Sequence, residues 1–270
     1  EKGAISVKAL VPADVLSSLD VFAIDAALEL KAKTGGKVTL ISLGKENAVE
    51  CLRQGLAMGA DEAVLLIDPA FENIDSSSTA MALAKTIARG PFGAVFCGHR
   101  ADDTQSGLTP AYLAQLLGLP IVLNVVQMEL QKDKLRLTRK LEKGNREIVE
   151  CTLPALLTIE AGEKKPRHAT IKGVLRARNA TIQRLDAQEL GLAPEDLTAS
   201  IKVKVLNITP PKPKMKGLFV PDAKMSSADK MKAIMGGGLV QKKSNILEGD
   251  PENIARQVTQ FLKKEKLIQT

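Results

Sequence analysis

Apolar positions along the chain fall in short bursts whose spacing alternates between the strand and the helix period. Residues 5–11 (ISVKALV) form a β-rich run. Leu19, Phe22, Ala23, Ala26, Ala27 and Leu30 then recur at helical spacing, with Ser17 three residues before Asp20 as a weak capping box and Gly35-Gly36 as a stop. Residues 37–43 (KVTLISL) read as a strand closed by Gly44, and a helix through Leu52, Leu56 and Met58 stops at Gly59. A strand at 63–67 (AVLLI), a helix at 76–89 and a strand at 94–97 (AVFC) complete a βαβαβαβ alternation. Strands that are apolar throughout, separated by amphipathic helices, predict a parallel sheet covered on both faces.

In such sheets ligands bind beyond the carboxyl ends of the strands, which directs attention to the segment after the fourth one. It is a polar loop bounded by glycines: Gly98, His99, Arg100, Ala101, Asp102, Asp103, Thr104, Gln105, Ser106 and Gly107. A helix over 108–117 follows, with Pro110 in its first turn. Unpaired N–H groups and the positive end of a helix dipole suit an anion there. Thr104, Ser106 and Thr109 add hydroxyls, and Arg100 adds a charge. An ordinary capped βα loop would carry the same residue types. Asp102 and Asp103 suit capping as well as they suit acid–base chemistry or metal binding.

From Lys134 the texture changes to alternation around residues 142–145, a hairpin signal, and 155–159 is a further strand. Residues 161–179 are charged and weakly periodic, as functional or mobile segments often are. Residues 186–192 look helical, 201–208 alternate as an extended arm, and 209–215 (TPPKPKM) form a proline-rich linker. Helices are expected at 228–235, ending on the flexible glycines 236–238, and at 251–264. The division implied is a nucleotide-binding α/β domain over 1–200 and an arm with terminal helices over 201–270.

Net charge of +7 would permit a nucleic-acid partner, but aromatic content is 3% with no Trp, so stacking platforms are scarce. The excess lies in 164–184 and 202–216, a regional basic surface suited to a phosphate ligand or an acidic protein. No apolar run approaches the ~20 residues that span a bilayer, and a basic-then-apolar leader pattern is not apparent, so a soluble intracellular protein without a membrane span is expected. Cys51, Cys97 and Cys151, odd in number and scattered, suggest neither a disulfide framework nor a metal cluster. GxSxG, HExxH, CxxC and Walker motifs are absent, and His99 and His168 have no nearby nucleophile. A chain so poor in catalytic groups suits a bound cofactor that carries the chemistry.

One family gathers these features. Residues 137–144 (LTRKLEKG), Leu153-Pro154-Ala155, Thr158-Ile159, Gly162 and 166–171 (PRHATI) resemble the signature of the electron transfer flavoprotein β-subunit family. Residues 56–66 (LAMGADEAVLL), the loop after the fourth strand and Val7-Lys8 extend the likeness. The resemblance implies a doubly wound α/β fold with a mostly parallel sheet, adenine-nucleotide α-hydrolase-like, carrying a β-hairpin and an extended C-terminal arm packed on the partner subunit. It implies a heterodimer that shuttles electrons between an acyl-CoA-type or other flavin dehydrogenase and a downstream acceptor, in the cytoplasm or alternatively the mitochondrial matrix. The α-subunit partner would hold most of the FAD; this chain would hold AMP, or a second FAD as in electron-bifurcating members, and no catalytic residue. Cofactor positions carried over are Ser6, Ser17, Leu43, the loop from Gly98 to Gly107, and Thr109. Gln105-Ser106-Gly107 resembles the AMP-binding members, and Asp103-Thr104 the FAD-binding ones. Ile171, flanked by Lys172, Arg176 and Arg178, matches the family's partner-recognition loop. Two other readings are an adenine-nucleotide hydrolase or ligase using Asp102, Asp103 and His99, and a nucleotide-binding scaffold with no redox role.

Overall fold

A computed structural model describes residues 15–131, 134–203, 226–228, 231, 249–264 and 268. The chain divides into two compact units, Glu1–Ile208 and Thr209–Thr270. In the first, the elements run α1 (Ser18–Thr34), β1 (Thr39–Leu43), α2 (Ala48–Met58), β2 (Glu62–Leu66), a 3₁₀ turn (Pro69–Phe71), α3 (Ser76–Ile87), β3 (Ala94–Gly98) and α4 (Thr109–Leu117). After them come β4 (Ile121–Gln131), β5 (Lys134–Lys140), a 3₁₀ turn (Glu142–Gly144), β6 (Arg146–Thr152), β7 (Ala155–Ile159), α5 (Ile171–Arg178), β8 (Gln183–Leu185) and α6 (Pro194–Ala199).

Among the described residues the strands form two ladders, β1-β2-β8 and β3-β7-β4-β5-β6. The first is wholly parallel; in the second β3, β7 and β4 are parallel while β5 and β6 return as an antiparallel hairpin. The fold is thus α/β, with mixed and parallel sheets flanked by helices.

Strands buried on both faces explain the apolar runs. From β2, Ala63 and Leu65 pack with α2 and with Ala177 of α5, while Val64 and Leu66 face Ala82 of α3 and Leu197 of α6. From β7, Ala155, Leu157 and Ile159 meet α1 and the hairpin residues Leu135 and Leu137, while Leu156 meets α3 and α4. Leu65, Leu66, Leu156 and Leu157 are fully enclosed. Burying each stabilises the fold by roughly 1.5–3 kcal/mol relative to exposure.

Several expectations change. Residues 121–131, for which no element is predicted, form β4, whose register slips between Val122 and Val125 where Asn124 takes φ +59°. Residues 171–178 are helical rather than aperiodic, 186–192 contain turns and no helix, and the short elements β8 and α6 are additions. The strand expected at 5–11, the arm beyond residue 203, the linker 209–215, the glycines 236–238 and most of 228–235 lie outside the described residues. In the second unit, α7 (Pro251–Lys264) is amphipathic, with Val258 and Phe261 exposed. No helix among the described residues is long and apolar enough to cross a membrane.

Candidate functional site

The loop after β3 is the structural hub of one end of its sheet. Gly98, the last residue of β3, donates its N–H to Asp20 Oδ1 at 2.8 Å, and a Cβ on Gly98 would lie 2.7 Å from the same oxygen. Only glycine allows this approach of β3 to the first turn of α1. His99 continues the ladder by donating its N–H to Ile159 O at 3.0 Å.

Asp102 then closes the start of α1 from outside. Its two carboxylate oxygens accept the Ser18 N–H at 2.8 Å and the Ser18 hydroxyl at 3.1 Å. Ser17, the residue at the N-cap position, makes no side-chain capping bond. Asp102 is therefore an N-cap supplied from 84 residues away. Asp103 accepts the following Thr104 N–H at 2.5 Å. Gln105 turns the chain at φ +52° with its N–H on Ala101 O, and Gly107 at φ +63° leads into α4. Ser106 reaches a third helix: its hydroxyl is hydrogen-bonded at 2.9 Å to the Ser76 hydroxyl, at the first residue of α3, with either oxygen able to donate. The loop thus ties together the starts of α1, α3 and α4, where positive dipole ends converge.

Two polar atoms at this end, Ser17 Oγ and His99 Nδ1, are buried without a partner at hydrogen-bonding distance, although the Ser17 hydroxyl lies close enough to Asp102 to help hold its carboxyl down. Native structures rarely leave such atoms unsatisfied, and a bound ligand is one way of satisfying them. The carboxylates are set apart electrostatically. Burial raises the Asp20 pKa; the Gly98 N–H opposes the rise and the charge of Asp102 adds to it. Asp102 is held below the usual carboxylate range, first by the Ser18 N–H and then by the Ser18 hydroxyl. Burial, with the charge of Asp20, pushes the Cys97 thiol up to about 12, so it is protonated at neutral pH and is no nucleophile.

The expected cofactor residues do not all meet. Ser6 lies outside the described residues. Ser17 and the loop from Gly98 to Gly107 come together, with Thr109 opening α4. Arg100, Ala101 and Thr104 are exposed along the loop. Leu43 instead lines a cleft of about 460 Å³ at the carboxyl ends of β1 and β2, with Gly44, Lys45, Asp68, Phe71 and Asn73, and its lining includes none of residues 98–107. The sequence reading did not single out Ser18, Asp20 or Ser76 as part of this end. Their roles arise from contacts between distant segments, for which a single sequence carries no local signal.

The expected recognition residues occupy α5. Thr170 caps this helix by accepting the Gly173 N–H at 3.0 Å. Ile171, its first residue, is 84% exposed, and Val174 and Leu175 are also exposed. Lys172 and Arg178 are on the surface. Arg176 differs from them, because its guanidinium donates to Leu56 O at 3.0 Å and Ala60 O at 3.4 Å. Part of the neighbouring positive charge is neutralised by α1: Lys164 pairs with Glu29, and Arg167 with the buried Asp25.

Comparison with known proteins bears on most of the first unit. The sequence model of a family described as the electron transfer flavoprotein domain matches residues 10–190. The chain is similar to the electron transfer flavoprotein subunit beta of Thermoanaerobacterium thermosaccharolyticum, 40% identical over 186 residues, which cover 66% of this chain and 71% of that one. It is 30% identical to the protein of the same name from Megasphaera elsdenii over 270 residues, covering 97% and 91% of the two chains. It is also 33% identical over 201 residues to the caffeyl-CoA reductase-Etf complex subunit CarD of Acetobacterium woodii, covering 73% and 76%.

Proposed function

Because the chain belongs to the electron transfer flavoprotein family, we propose that it works as the β-subunit of a heterodimeric carrier passing electrons from a flavin dehydrogenase to a downstream acceptor, with AMP seated on the loop after β3. The observation that carries the nucleotide seat is the loop itself: it joins three helix starts and leaves His99 Nδ1 buried and unpartnered beside them. These groups fit a phosphate. Asp102 already fills the start of α1 with a negative charge and Asp75 that of α3, so the phosphate belongs beside Ser106, Gly107 and Thr109, at the start of α4.

FAD, held mainly by the α-subunit, supplies the electron chemistry when bound. This chain's own residues position, dock and exclude. Asp102 is committed to the start of α1 and Cys97 is a protonated thiol, which favours a carrier over a nucleotide hydrolase or ligase built on Asp102. The exposed apolar side of α5, with Lys172 and Arg178 beside it, suits docking to an acidic dehydrogenase surface. Free thiols at Cys97 and Cys151 agree with work in the cytoplasm.

The test is to co-produce the chain with its α-subunit and count flavins and adenine nucleotides per heterodimer. One FAD and one AMP are expected. Two FAD would overturn the AMP assignment. A colourless chain that hydrolyses ATP and binds no flavoprotein subunit would overturn the carrier.

A further inference from the structure

Helix α5 is held in an unusual way. It has eight residues, fewer than the ~12–15 that an isolated helix needs to persist in water. Tertiary contacts must therefore hold it, yet its larger apolar side chains do not supply them. Ile171, Val174 and Leu175 are exposed, and Ala177 is the one residue of the helix that is buried.

What holds it is an exchange of arginines with α2. Arg53, on α2, donates from Nη1 to Ala177 O at 2.6 Å, Arg178 O at 2.8 Å and Ala180 O at 3.5 Å, which are carbonyls at and just beyond the end of α5. Arg176, on α5, donates from Nη2 to Leu56 O and Ala60 O at the end of α2. Each helix thus ends on a guanidinium of the other, which places a cation at each negative dipole end and adds donors to the last carbonyls, of which Ala177 O and Leu56 O also accept the Ala180 and Gly59 N–H groups. Gly173 permits the approach. A Cβ there would lie 2.3 Å from Ala57 O, so the backbones of the two helices touch with no side chain between them.

We propose that Arg53, Arg176 and Gly173 are positioning residues for electron transfer, fixing α5 against α2 so that Ile171, Val174 and Leu175 are presented as one preformed docking face. This rests on the reading of α5 as the recognition helix. The alternative arrangement would bury the apolar side chains against this chain's own core and hold the helix through them. The reciprocal caps use backbone carbonyls instead and leave the apolar face for a partner. Preorganisation of this kind lowers the ordering cost of association.

The test uses the heterodimer carrying Arg53→Met, which keeps most of the apolar stem and removes the donors, with Ile171→Ala and the double variant alongside. Hydrogen exchange over residues 171–178 should accelerate about ten-fold or more in Arg53→Met, while α1 and α3 keep their protection. The KM of the dehydrogenase for the carrier should rise about five-fold with kcat and flavin content unchanged, less than the roughly thirty- to sixty-fold expected for removing the anchor itself. In the Ile171→Ala background Arg53→Met should add little, since both act through one contact. Unchanged exchange in α5 overturns the clamp. Faster exchange with an unchanged KM, where Ile171→Ala does raise KM, overturns its role in docking. An unchanged KM in Ile171→Ala overturns the recognition reading beneath it and the proposal with it. Arg53→Lys, which restores a cation but not the forked donors, should recover only part of the protection.

Discussion

Ile171→Ala probes the proposed docking role of α5 at a side chain on which the fold itself depends little. At 84% exposure the isoleucine contributes little to the fold, and alanine is the better helix former at the first position of α5. Thermal stability of the heterodimer should therefore stay where it was, which separates binding from folding. Against a dehydrogenase the account differs. The substitution deletes three carbons, and at ~0.8 kcal/mol for each carbon carried from water into a packed interface the loss is about 2–2.5 kcal/mol, roughly a thirty- to sixty-fold weaker encounter complex. The assay is reduction of the carrier by its dehydrogenase over a range of carrier concentrations, with flavin absorbance and chemical reduction by dithionite as controls. KM should rise by that factor, while the rate at saturation, the flavin content and the dithionite reaction stay unchanged. A wild-type rate at subsaturating carrier would show that this side chain is not buried by the partner, and loss of flavin would show that α5 supports the cofactor instead.

Two predictions concern the carboxylates that organise the helix starts. Asp75→Ala should cost about 1–2 kcal/mol in unfolding free energy, because its oxygens accept the Ser77 and Ser78 N–H groups at the start of α3 and those of Lys202 and Val203 at 2.6 and 3.0 Å; chemical denaturation of the heterodimer measures it. Burial works to raise the Asp75 pKa, but these donors outweigh it and the net shift is downward, so its stabilisation is present above the ordinary carboxylate pKa and is lost as pH falls through the depressed one. Asp20 has the opposite sign. Its raised pKa makes the folded state less stable as pH climbs from the ordinary carboxylate value through the elevated one, so Asp20→Asn, which can still accept the Gly98 N–H, should raise Tm at neutral pH and change it little below about pH 4. An Asn variant whose Tm gain did not depend on pH would refute the electrostatic account.

What a single sequence discloses here follows from where its side chains are buried. β2 and β7 are legible because both of their faces are enclosed, so they read as unbroken apolar runs. β4 is not. It changes from a parallel to an antiparallel neighbour along its length, Asn124 breaks its register at a positive φ, and its far end alternates toward solvent. The loop after β3 announces itself through its glycines and its place in the alternation. Its bonds to Ser18, Asp20 and Ser76 span 84, 78 and 30 residues and leave no local trace.

The basic segment 161–179 shows the same limit from the other side. Periodicity records burial within the chain, so a helix whose larger apolar side chains are exposed reads as noise among charges. Arg176 and Lys172 look equivalent in the sequence, yet one guanidinium is committed to the carbonyls of α2 while the other cation lies on the surface. The resemblance implies a recognition role for Ile171 and its neighbours; only the folded chain separates the exposed apolar residues of α5 from those that hold the helix. That separation is why truncating Ile171 should weaken docking without moving α5, whereas removing the donors of Arg53 should move α5 first and weaken docking as a consequence.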